Sequence, residues 1–166
     1  MGQMQIVVMG VAGSGKSSIG TLLSRTFGIP FQDGDDLHPQ SNVEKMASGT
    51  PLTDEDRWPW LDLCALSLNI QGGAILACSA LRRSYRDRIR NLAPGAIFVH
   101  LDGSDELLFE RLNNRKNHFM KPKMLISQLQ TLEPLQEDEA GFSVDINRSE
   151  AEIVQEISSR LVATLR

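Results

Sequence analysis

The sequence predicts an α/β domain in which a five-stranded parallel sheet carries helices on both faces. Its apolar runs are near-continuous rather than alternating, which is typical of parallel strands covered on both sides. The segments between these runs show helical periodicity, and strands that alternate with helices indicate a doubly wound sheet. The five predicted strands lie at 5–9, 30–32, 74–78, 96–101 and 141–145.

The first two predicted helices have recognisable ends. Segment 17–27 is expected to be a helix that closes at Gly28, since glycine adopts the left-handed conformation that ends many helices. Ser41-x-x-Glu44 matches a capping box, in which the serine starts a helix, and this helix is expected to stop at Gly49.

A C-terminal amphipathic helix is predicted behind a second capping box, Ser149-x-x-Glu152. Apolar residues recur there at every fourth position, which indicates one face packed on the sheet. They are Ile153, Ile157, Leu161 and Leu165.

Length and composition favour one domain spanning residues 1–166. A chain of 166 residues with 41% apolar content can bury a single hydrophobic core. A net charge of −4 argues against a general nucleic-acid binder, which usually carries a basic excess on one face. No run approaches the ~18 apolar residues of a membrane span, and residues 1–9 lead into a strand rather than resembling a cleavable signal. We therefore expect a cytoplasmic protein without nucleic-acid or membrane partners.

The two cysteines, Cys64 and Cys78, fall in a predicted helix and a predicted buried strand. Two such residues are too few for a disulfide framework or a metal cluster. We expect both to be small core residues in a reducing compartment.

A phosphate-binding loop is the strongest motif in the chain. Residues 10–17 read Gly-Val-Ala-Gly-Ser-Gly-Lys-Ser and match G-x-x-x-x-G-K-[ST] between a strand and a helix. Its backbone N–H groups and the helix N-terminus suit ATP phosphates, Lys16 is expected to reach the β- and γ-phosphates, and Ser17 is expected to join a Mg²⁺ shell. The predicted nucleotide-binding residues of this segment are Gly10, Val11, Ala12, Gly13, Ser14, Gly15, Lys16, Ser17 and Ser18.

An acidic turn distinguishes the chain from other P-loop proteins. The chain lacks the Asn-Lys-x-Asp motif of GTPases. Its predicted strand 74–78 ends in Cys-Ser rather than in the aspartate that binds magnesium in many P-loop proteins. The missing carboxylate is expected from Asp33-Gly34-Asp35-Asp36, because the carboxyl ends of parallel strands converge on one crevice. We assign Asp33 to the metal and Asp35 to deprotonation of an acceptor hydroxyl, and leave Asp36 unassigned.

Further motifs follow in a fixed order over residues 6–145. Together with the phosphate loop, they resemble the gluconate kinase family, relatives of shikimate and nucleoside monophosphate kinases. The resemblance implies transfer of the γ-phosphoryl group of ATP to the 6-hydroxyl of D-gluconate, with Mg²⁺, often by a homodimer. The motifs include Asp33-Gly34-Asp35-Asp36-Leu37-His38-Pro39, Asn42-Val43-Glu44-Lys45-Met46, Cys78-Ser79-Ala80-Leu81-Arg82, Tyr85-Arg86-Asp87 and Ser127-Gln128.

Gluconate is a polyol with a carboxylate, so its pocket needs cations and hydroxyl partners. Arg57 and Arg82 are the predicted carboxylate clamp, because a guanidinium forms two parallel hydrogen bonds. His38 has two open roles, a hydrogen bond to an acceptor hydroxyl or support of the turn before Pro39. Lys45 either faces the pocket or is solvated.

The cationic stretch at about 111–127 resembles the mobile lid of these kinases. Arg111 and Arg115 lie four residues apart, so on a helix they share a face and are expected to converge on the migrating phosphoryl group. His118 is assigned to the acceptor, and Arg148 to the loop that faces adenine.

Two alternatives stay open at this point. One is another small-molecule kinase of the same fold, acting on shikimate or a nucleotide. The other is an ATP-binding regulatory module without catalysis, which the presence of Lys16, Ser17, Asp33 and Asp35 opposes.

Overall fold

The computed structural model describes residues 4–114 and 122–165. Strands and helices alternate along most of the chain. The strands are β1 (Met4–Met9), β2 (Phe31–Asp33), β3 (Gly73–Ala77), β4 (Ile97–Asp102) and β5 (Gly141–Asp145). The α-helices are α1 (Lys16–Phe27), α2 (Gln40–Ala47), α3 (Asp54–Leu68), α4 (Arg83–Leu92), α5 (Asp105–Asn113), α6 (Pro122–Thr131) and α7 (Glu150–Thr164), with a 3₁₀ turn at Gly34–Leu37.

The five strands form one parallel sheet in the order β2-β3-β1-β4-β5. This arrangement confirms the predicted fold class. The centre of the sheet is β1, which pairs with β3 on one side and β4 on the other. The loops that follow β1, β2 and β3 therefore leave the same edge of the sheet next to one another, where ligands of such sheets bind.

Apolar clusters cover both faces of the sheet, which explains the uninterrupted apolar runs. Ile6 and Val8 face a cluster that includes Leu23 and Ile157, while the alternate residue Val7 faces one that includes Leu61. Successive side chains of a strand point to opposite faces, so a strand buried on both sides is apolar throughout.

Both cysteines are buried and free. The expectation that they are core residues is therefore confirmed. A hydrogen bond to Cys78 and burial raise the pKa of the Cys64 thiol, which keeps it protonated.

Helix ends follow the predictions at α1 and α7. Gly28 closes α1 in the left-handed conformation, with φ of 67°. Ser149 caps α7, and both hydrogen bonds of the capping box with Glu152 are present. Three of the four predicted apolar positions of α7 are buried, whereas Leu165 is 42% exposed, because it is the C-cap residue beyond the last packed turn.

The capping box predicted at Ser41 is wrong. The N-cap of helix α2 lies two residues earlier, at Pro39, whose carbonyl oxygen accepts hydrogen bonds from the N–H groups of Asn42 and Val43. Proline has a fixed φ that suits a helix start, so the chain enters the helix before Ser41. The helix ends at Ala47, and Gly49 follows it in the left-handed conformation, close to the predicted stop.

None of the helices within 4–114 and 122–165 is long and apolar enough to cross a membrane.

Candidate active site

A cleft opens at the carboxyl ends of β1, β2 and β3. Three loops line it: the predicted phosphate-binding loop after β1, the acidic turn after β2, and the segment after β3. Most lining residues come from the sequence motifs. They are Ala12, Gly13, Gly15, Lys16, Ser17, Ser18, Asp33, Asp35, Ala77, Cys78 and Ser79.

The phosphate-binding loop has the backbone conformation that only glycine tolerates well. Gly15 has φ of 95° and is the N-cap of α1, while Gly10 has φ of 152° and no room for a side chain. A Cβ atom at Gly10 would lie 2.7 Å from the Ser14 hydroxyl oxygen. Lys16 follows directly, and its ammonium group donates a hydrogen bond to the carbonyl of Val11 at 3.2 Å, among other interactions. The loop thus combines left-handed glycines with the N-terminus of α1, two features of an anion cradle.

Two contacts hold this loop from the side. The Gly10 N–H donates to the carbonyl of Ser79 at 3.3 Å, and the Ala12 N–H donates to the side-chain oxygen of Gln128 at 2.7 Å. Sequence reasoning gave no role to Gln128, because its partner lies 116 residues away and α6 offers no motif of its own. Only its place in the family motif singled it out.

Ser17 and Asp33 face each other across the cleft. The Ser17 hydroxyl lies 3.2 Å from an Asp33 carboxylate oxygen, and the other oxygen of Asp33 accepts a hydrogen bond from the Asp35 N–H at 3.0 Å. Hard oxygen ligands of this kind suit Mg²⁺, which usually takes one or two protein groups and completes its shell with phosphates and water. Within the described residues, no group of three or more acidic, histidine or cysteine side chains forms a metal cage. Ser17 and Asp33 offer oxygen ligands that fit a Mg²⁺ ion whose other ligands are phosphates and water.

Asp35 lies in the same turn and retains contact with solvent. Burial by the surrounding protein and the nearby negative charge of Asp33 raise its pKa, and the charge of Lys16 acts in the opposite direction. A carboxylate with a raised pKa accepts a proton more readily, which suits a general base.

His38 is held by two neighbours. Its ring stacks on the Trp60 indole at 4.2 Å between centroids and 16° between planes, and Trp60 donates a hydrogen bond to the carbonyl of Gly34 at 2.7 Å. Its Nδ1 atom lies 3.2 Å from the Asn42 amide nitrogen. Burial lowers the pKa of His38, the charge of Asp35 opposes this, and the charge of Arg57 adds to it.

Two predicted clamp residues, Arg57 and Arg82, approach Tyr85 from different elements. The Arg57 guanidinium lies over the Tyr85 ring, 5.4 Å from its centroid. It also lies 3.4 Å from the Asp54 carboxylate. The same carboxylate accepts a hydrogen bond from the Tyr85 hydroxyl at 2.7 Å. Arg82 is exposed and is the N-cap residue of α4. Burial and the hydrogen bond to Asp54 raise the pKa of Tyr85, while the charges of both arginines oppose the shift. Both cations therefore lie near enough to Tyr85 for their charges to act on its pKa.

Lys45 has a partner in α3. Its ammonium group lies 2.8 Å from the carboxylate of Asp56, which also completes the capping box with Thr53. The hydrogen bond from Lys45, followed by that from the Thr53 backbone, lowers the pKa of Asp56 to about 2. This contact ties α2 to α3, and a contact between Lys45 and an acceptor stays a prediction.

Arg111 lies at the phosphate-binding loop. One guanidinium nitrogen donates to the carbonyl of Ile146 at 2.9 Å, and the other lies 3.8 Å from the position that a Gly15 Cβ would take. Arg115 and His118, assigned to the same stretch, lie outside the described residues.

Arg148 lies after β5 and turns toward α7. It donates to the carbonyl of Asp145 at 3.1 Å and to the carboxylate of Glu156 at 2.6 Å. The structure gives it these two partners, and its contact with adenine stays a prediction.

A buried ion pair beside the loop that follows β3 was missed by sequence reasoning. Arg86 and Glu139 are both fully buried at their side chains and lie 2.9 Å apart. Arg86 also donates to the carbonyls of Ala80 and Leu81, in the loop that carries Arg82. Ala80 adopts a positive φ of 46°, so the pair holds a strained loop in place. The sequence offered one indication that Arg86 is buried, since it shares a face of α4 with the buried residues Tyr85 and Ile89.

Comparison with known proteins identifies the family of this chain. A family model described as shikimate kinase matches residues 12–162. A gluconokinase of Gluconobacter oxydans is 46% identical over 156 residues, covering 92% of this chain and 88% of its own. The thermoresistant gluconokinase of Escherichia coli is 42% identical over 147 residues, covering 86% and 84%. The chain belongs to the gluconokinase family.

Solved structures agree with membership of the gluconokinase family. A gluconokinase from Sinorhizobium meliloti superposes with a TM-score of 0.89 at 46% identity, over 97% of this chain and 93% of that one. A shikimate kinase from Aquifex aeolicus superposes with a TM-score of 0.63 at 17% identity, which shows a shared fold alone. The resemblance read from the motifs, that of a kinase of this family with ATP as phosphate donor, is confirmed.

Proposed function

We propose that the protein transfers the γ-phosphoryl group of ATP to the 6-hydroxyl of D-gluconate, giving 6-phospho-D-gluconate and ADP. The observation that carries the proposal is the convergence of the phosphate cradle, the Ser17–Asp33 pair and Asp35 on one cleft. The gluconokinases that it resembles over most of its length support the choice of acceptor.

Charged side chains in and near the cleft have the following roles in the proposed reaction. Asp35 takes the proton of the 6-hydroxyl, the hydroxyl oxygen forms a bond to the γ-phosphorus, and the bond from that phosphorus to the β–γ bridging oxygen breaks to release ADP. Lys16 stabilises the negative charge that the transferring phosphoryl group shares among its oxygens. Arg111 lies close enough to the phosphate loop to act with it, and Arg115 is proposed to join them.

Mg²⁺ completes the proposed donor site. Ser17 and Asp33 would hold it, and when bound it supplies positive charge to the β- and γ-phosphates. Adenine is proposed to lie toward Arg148, beyond β5.

The acceptor is proposed to lie between the acidic turn and the two arginines beside Tyr85. Arg57 and Arg82 would bind its carboxylate and His38 one of its oxygens, and His118 and Lys45 remain further candidates. We also propose that segment 111–127 closes over the bound substrates as a lid, which would exclude water.

The resemblance further leads us to propose a homodimer of single-domain chains in the cytoplasm. The two free, buried cysteines support a reducing compartment, and the use of ATP as donor supports a compartment that supplies this nucleotide. Light scattering at several protein concentrations would test the dimer, and a monomer mass throughout would reject it.

An acceptor panel tests the function. ATP consumption with Mg²⁺ is measured against D-gluconate, D-glucose, shikimate and nucleoside monophosphates, with identification of the product. D-Glucose is the matched control, since it offers a 6-hydroxyl without a carboxylate. We expect phosphorylation of gluconate at oxygen 6 and little turnover of glucose. Turnover of another acceptor in preference to gluconate would reject the proposed substrate, and ATP binding without any turnover would favour a regulatory module.

A further inference from the structure

A buried asparagine contacts His38, one of the residues proposed to bind the acceptor. Asn42 is 2% exposed although it lies on α2, a helix whose other side chains are mostly exposed. Burying an amide costs free energy unless its hydrogen-bonding groups find partners. The Asn42 amide nitrogen has two, the carbonyl of Asp56 at 3.0 Å and Nδ1 of His38 at 3.2 Å.

The carbonyl of Asp56 decides which way the amide of Asn42 points. A carbonyl oxygen only accepts hydrogen bonds, so the atom of Asn42 that faces it is the NH₂ group rather than the oxygen. The second hydrogen of the same NH₂ group is then directed at His38, and Nδ1 must accept it through its lone pair. In the neutral ring the proton therefore resides on Nε2, at the other edge of the imidazole.

Stacking fixes the plane of the same ring. The Trp60 indole lies under His38, and Trp60 is itself bonded to the carbonyl of Gly34, between Asp33 and Asp35. Trp60 thus sets the plane of the imidazole and Asn42 sets its rotation within that plane. The direction of the Nε2–H bond is therefore determined relative to the acidic turn.

Burial of the His38 ring favours its neutral form. Burial lowers its pKa and Arg57 acts in the same direction, against the opposing charge of Asp35. A proton on Nδ1 would also face the NH₂ group of Asn42, donor against donor. Among the described residues, none forms a hydrogen bond with Nε2.

We infer that Asn42 is a positioning residue of the acceptor site, which holds His38 with its proton on Nε2 so that this N–H donates to an oxygen of the acceptor. The inference rests on the proposed function for the identity of the acceptor. Of the two roles that the sequence left open for His38, it selects the hydrogen bond to an acceptor hydroxyl. It gives Asn42 a role that does not require contact with the substrate.

NMR tests the arrangement without any substrate. The chain has three histidines, so long-range ¹H–¹⁵N correlation resolves each ring, and the signals lost in His38→Gln assign His38. We expect the Nε2-protonated tautomer in the wild-type protein. Asn42→Asp replaces the donor by an acceptor of the same shape and is expected to move the proton to Nδ1 or to give the imidazolium. Gln40→Glu adds the same charge at an exposed position of α2 and should keep the wild-type tautomer.

Kinetics test the acceptor contact. We expect Asn42→Asp to raise KM for gluconate about tenfold, as for the loss of one well-placed hydrogen bond, with KM for ATP unchanged. The amide nitrogen of His38→Gln can donate from the position of Nε2 and needs no tautomer, so in that background Asn42→Asp should have little further effect. If the buried charge prevents folding, Asn42→Ala removes the donor alone and is expected to give mixed tautomers and the same KM change.

Three results would overturn the inference. They are an Nδ1-protonated ring in the wild-type protein, additive effects of the His38 and Asn42 substitutions, and an equal rise in KM for ATP. Absence of gluconate turnover in the wild-type protein would instead reject the proposed function and with it the acceptor contact, while the NMR spectra would still decide the tautomer.

Discussion

The hydroxyl of Ser17, at the start of α1, lies 3.2 Å from the carboxylate of Asp33, at the end of β2. The two residues follow strands that are not adjacent, since β1 leads into the phosphate-binding loop and β2 into the acidic turn, with β3 between them in the sheet. A P-loop protein usually takes its metal carboxylate from another strand, and the closeness of Ser17 and Asp33 is the reason for proposing that the acidic turn supplies it in this chain.

Loss of the Asp33 carboxylate should weaken the metal requirement of the reaction specifically. We expect Asp33→Asn to raise the Mg²⁺ concentration for half-maximal rate by ~10- to 100-fold, because groups that hold a metal or its waters typically contribute that much to metal affinity. Initial rates over a Mg²⁺ titration at saturating ATP measure it. Thr26→Ala, which removes an exposed hydroxyl from the far end of α1, should leave the titration unchanged. An Asp33→Asn titration that overlays the wild-type curve would exclude Asp33 from the metal site.

Asp35 should be required for turnover rather than for ATP binding. We expect Asp35→Asn to lower kcat at least ~10²-fold, because an amide cannot accept the proton of the acceptor hydroxyl. Single-turnover assays and equilibrium ATP binding separate the two steps. Asp36→Asn removes an equal charge from the next residue, which is exposed, and should change kcat little. Near-normal turnover in Asp35→Asn would reject its role as base.

The buried Arg86–Glu139 pair should contribute far more to the free energy of unfolding than the partly exposed pair that Arg88, on the same helix as Arg86, forms with Asp62. Arg86→Met removes the contact at 2.9 Å and leaves the buried Glu139 carboxylate with the longer contacts of Arg83 and Arg90, both at 3.4 Å. We therefore expect a loss of ~3 kcal/mol in the free energy of unfolding, at the lower end of the range for a broken buried pair. Arg88→Met breaks a partly exposed pair with Asp62 and should cost at most ~1 kcal/mol. Urea denaturation measures both. The double variant Arg86→Met, Glu139→Leu should recover much of the loss, and equal losses for Arg86→Met and Arg88→Met would contradict the assignment.

The Lys45–Asp56 contact should make stability depend on pH in acid. Folding lowers the pKa of Asp56 from its ordinary value of 3.8 to about 2, so the folded state binds this proton less readily than the unfolded state. Its stabilising contribution is therefore complete above about pH 4 and is lost as the pH falls toward 2. The difference in urea midpoint between wild type and Asp56→Asn should be constant from pH 7 to 5 and shrink below pH 4. Glu55→Gln changes an exposed carboxylate in the same helical turn and serves as the control. If the difference in urea midpoint between wild type and Asp56→Asn grew below pH 4, the predicted direction of the pH dependence would be contradicted.

Several features of this molecule could be predicted because their signal is local. The phosphate-binding loop, the end of α1 at Gly28 and the cap of α7 at Ser149 each depend on residues within a few positions of one another. The start of α2 was misplaced for the same reason, because Pro39 and Ser41 offer competing starts and only the observed backbone shows that proline prevails.

By itself the sequence determined the doubly wound fold, the phosphate cradle and the acidic turn, since apolar period, glycine positions and charged side chains express these along the chain. Only the tertiary structure decided which polar residues are buried and which distant residues they form hydrogen bonds or ion pairs with. Glu139 lies 53 residues from Arg86, Asp56 lies 14 from Asn42, and Gln128 lies 116 from Ala12. Arginine and asparagine are residues that usually face water, so their burial becomes visible only when distant partners that satisfy their hydrogen bonds are brought beside them.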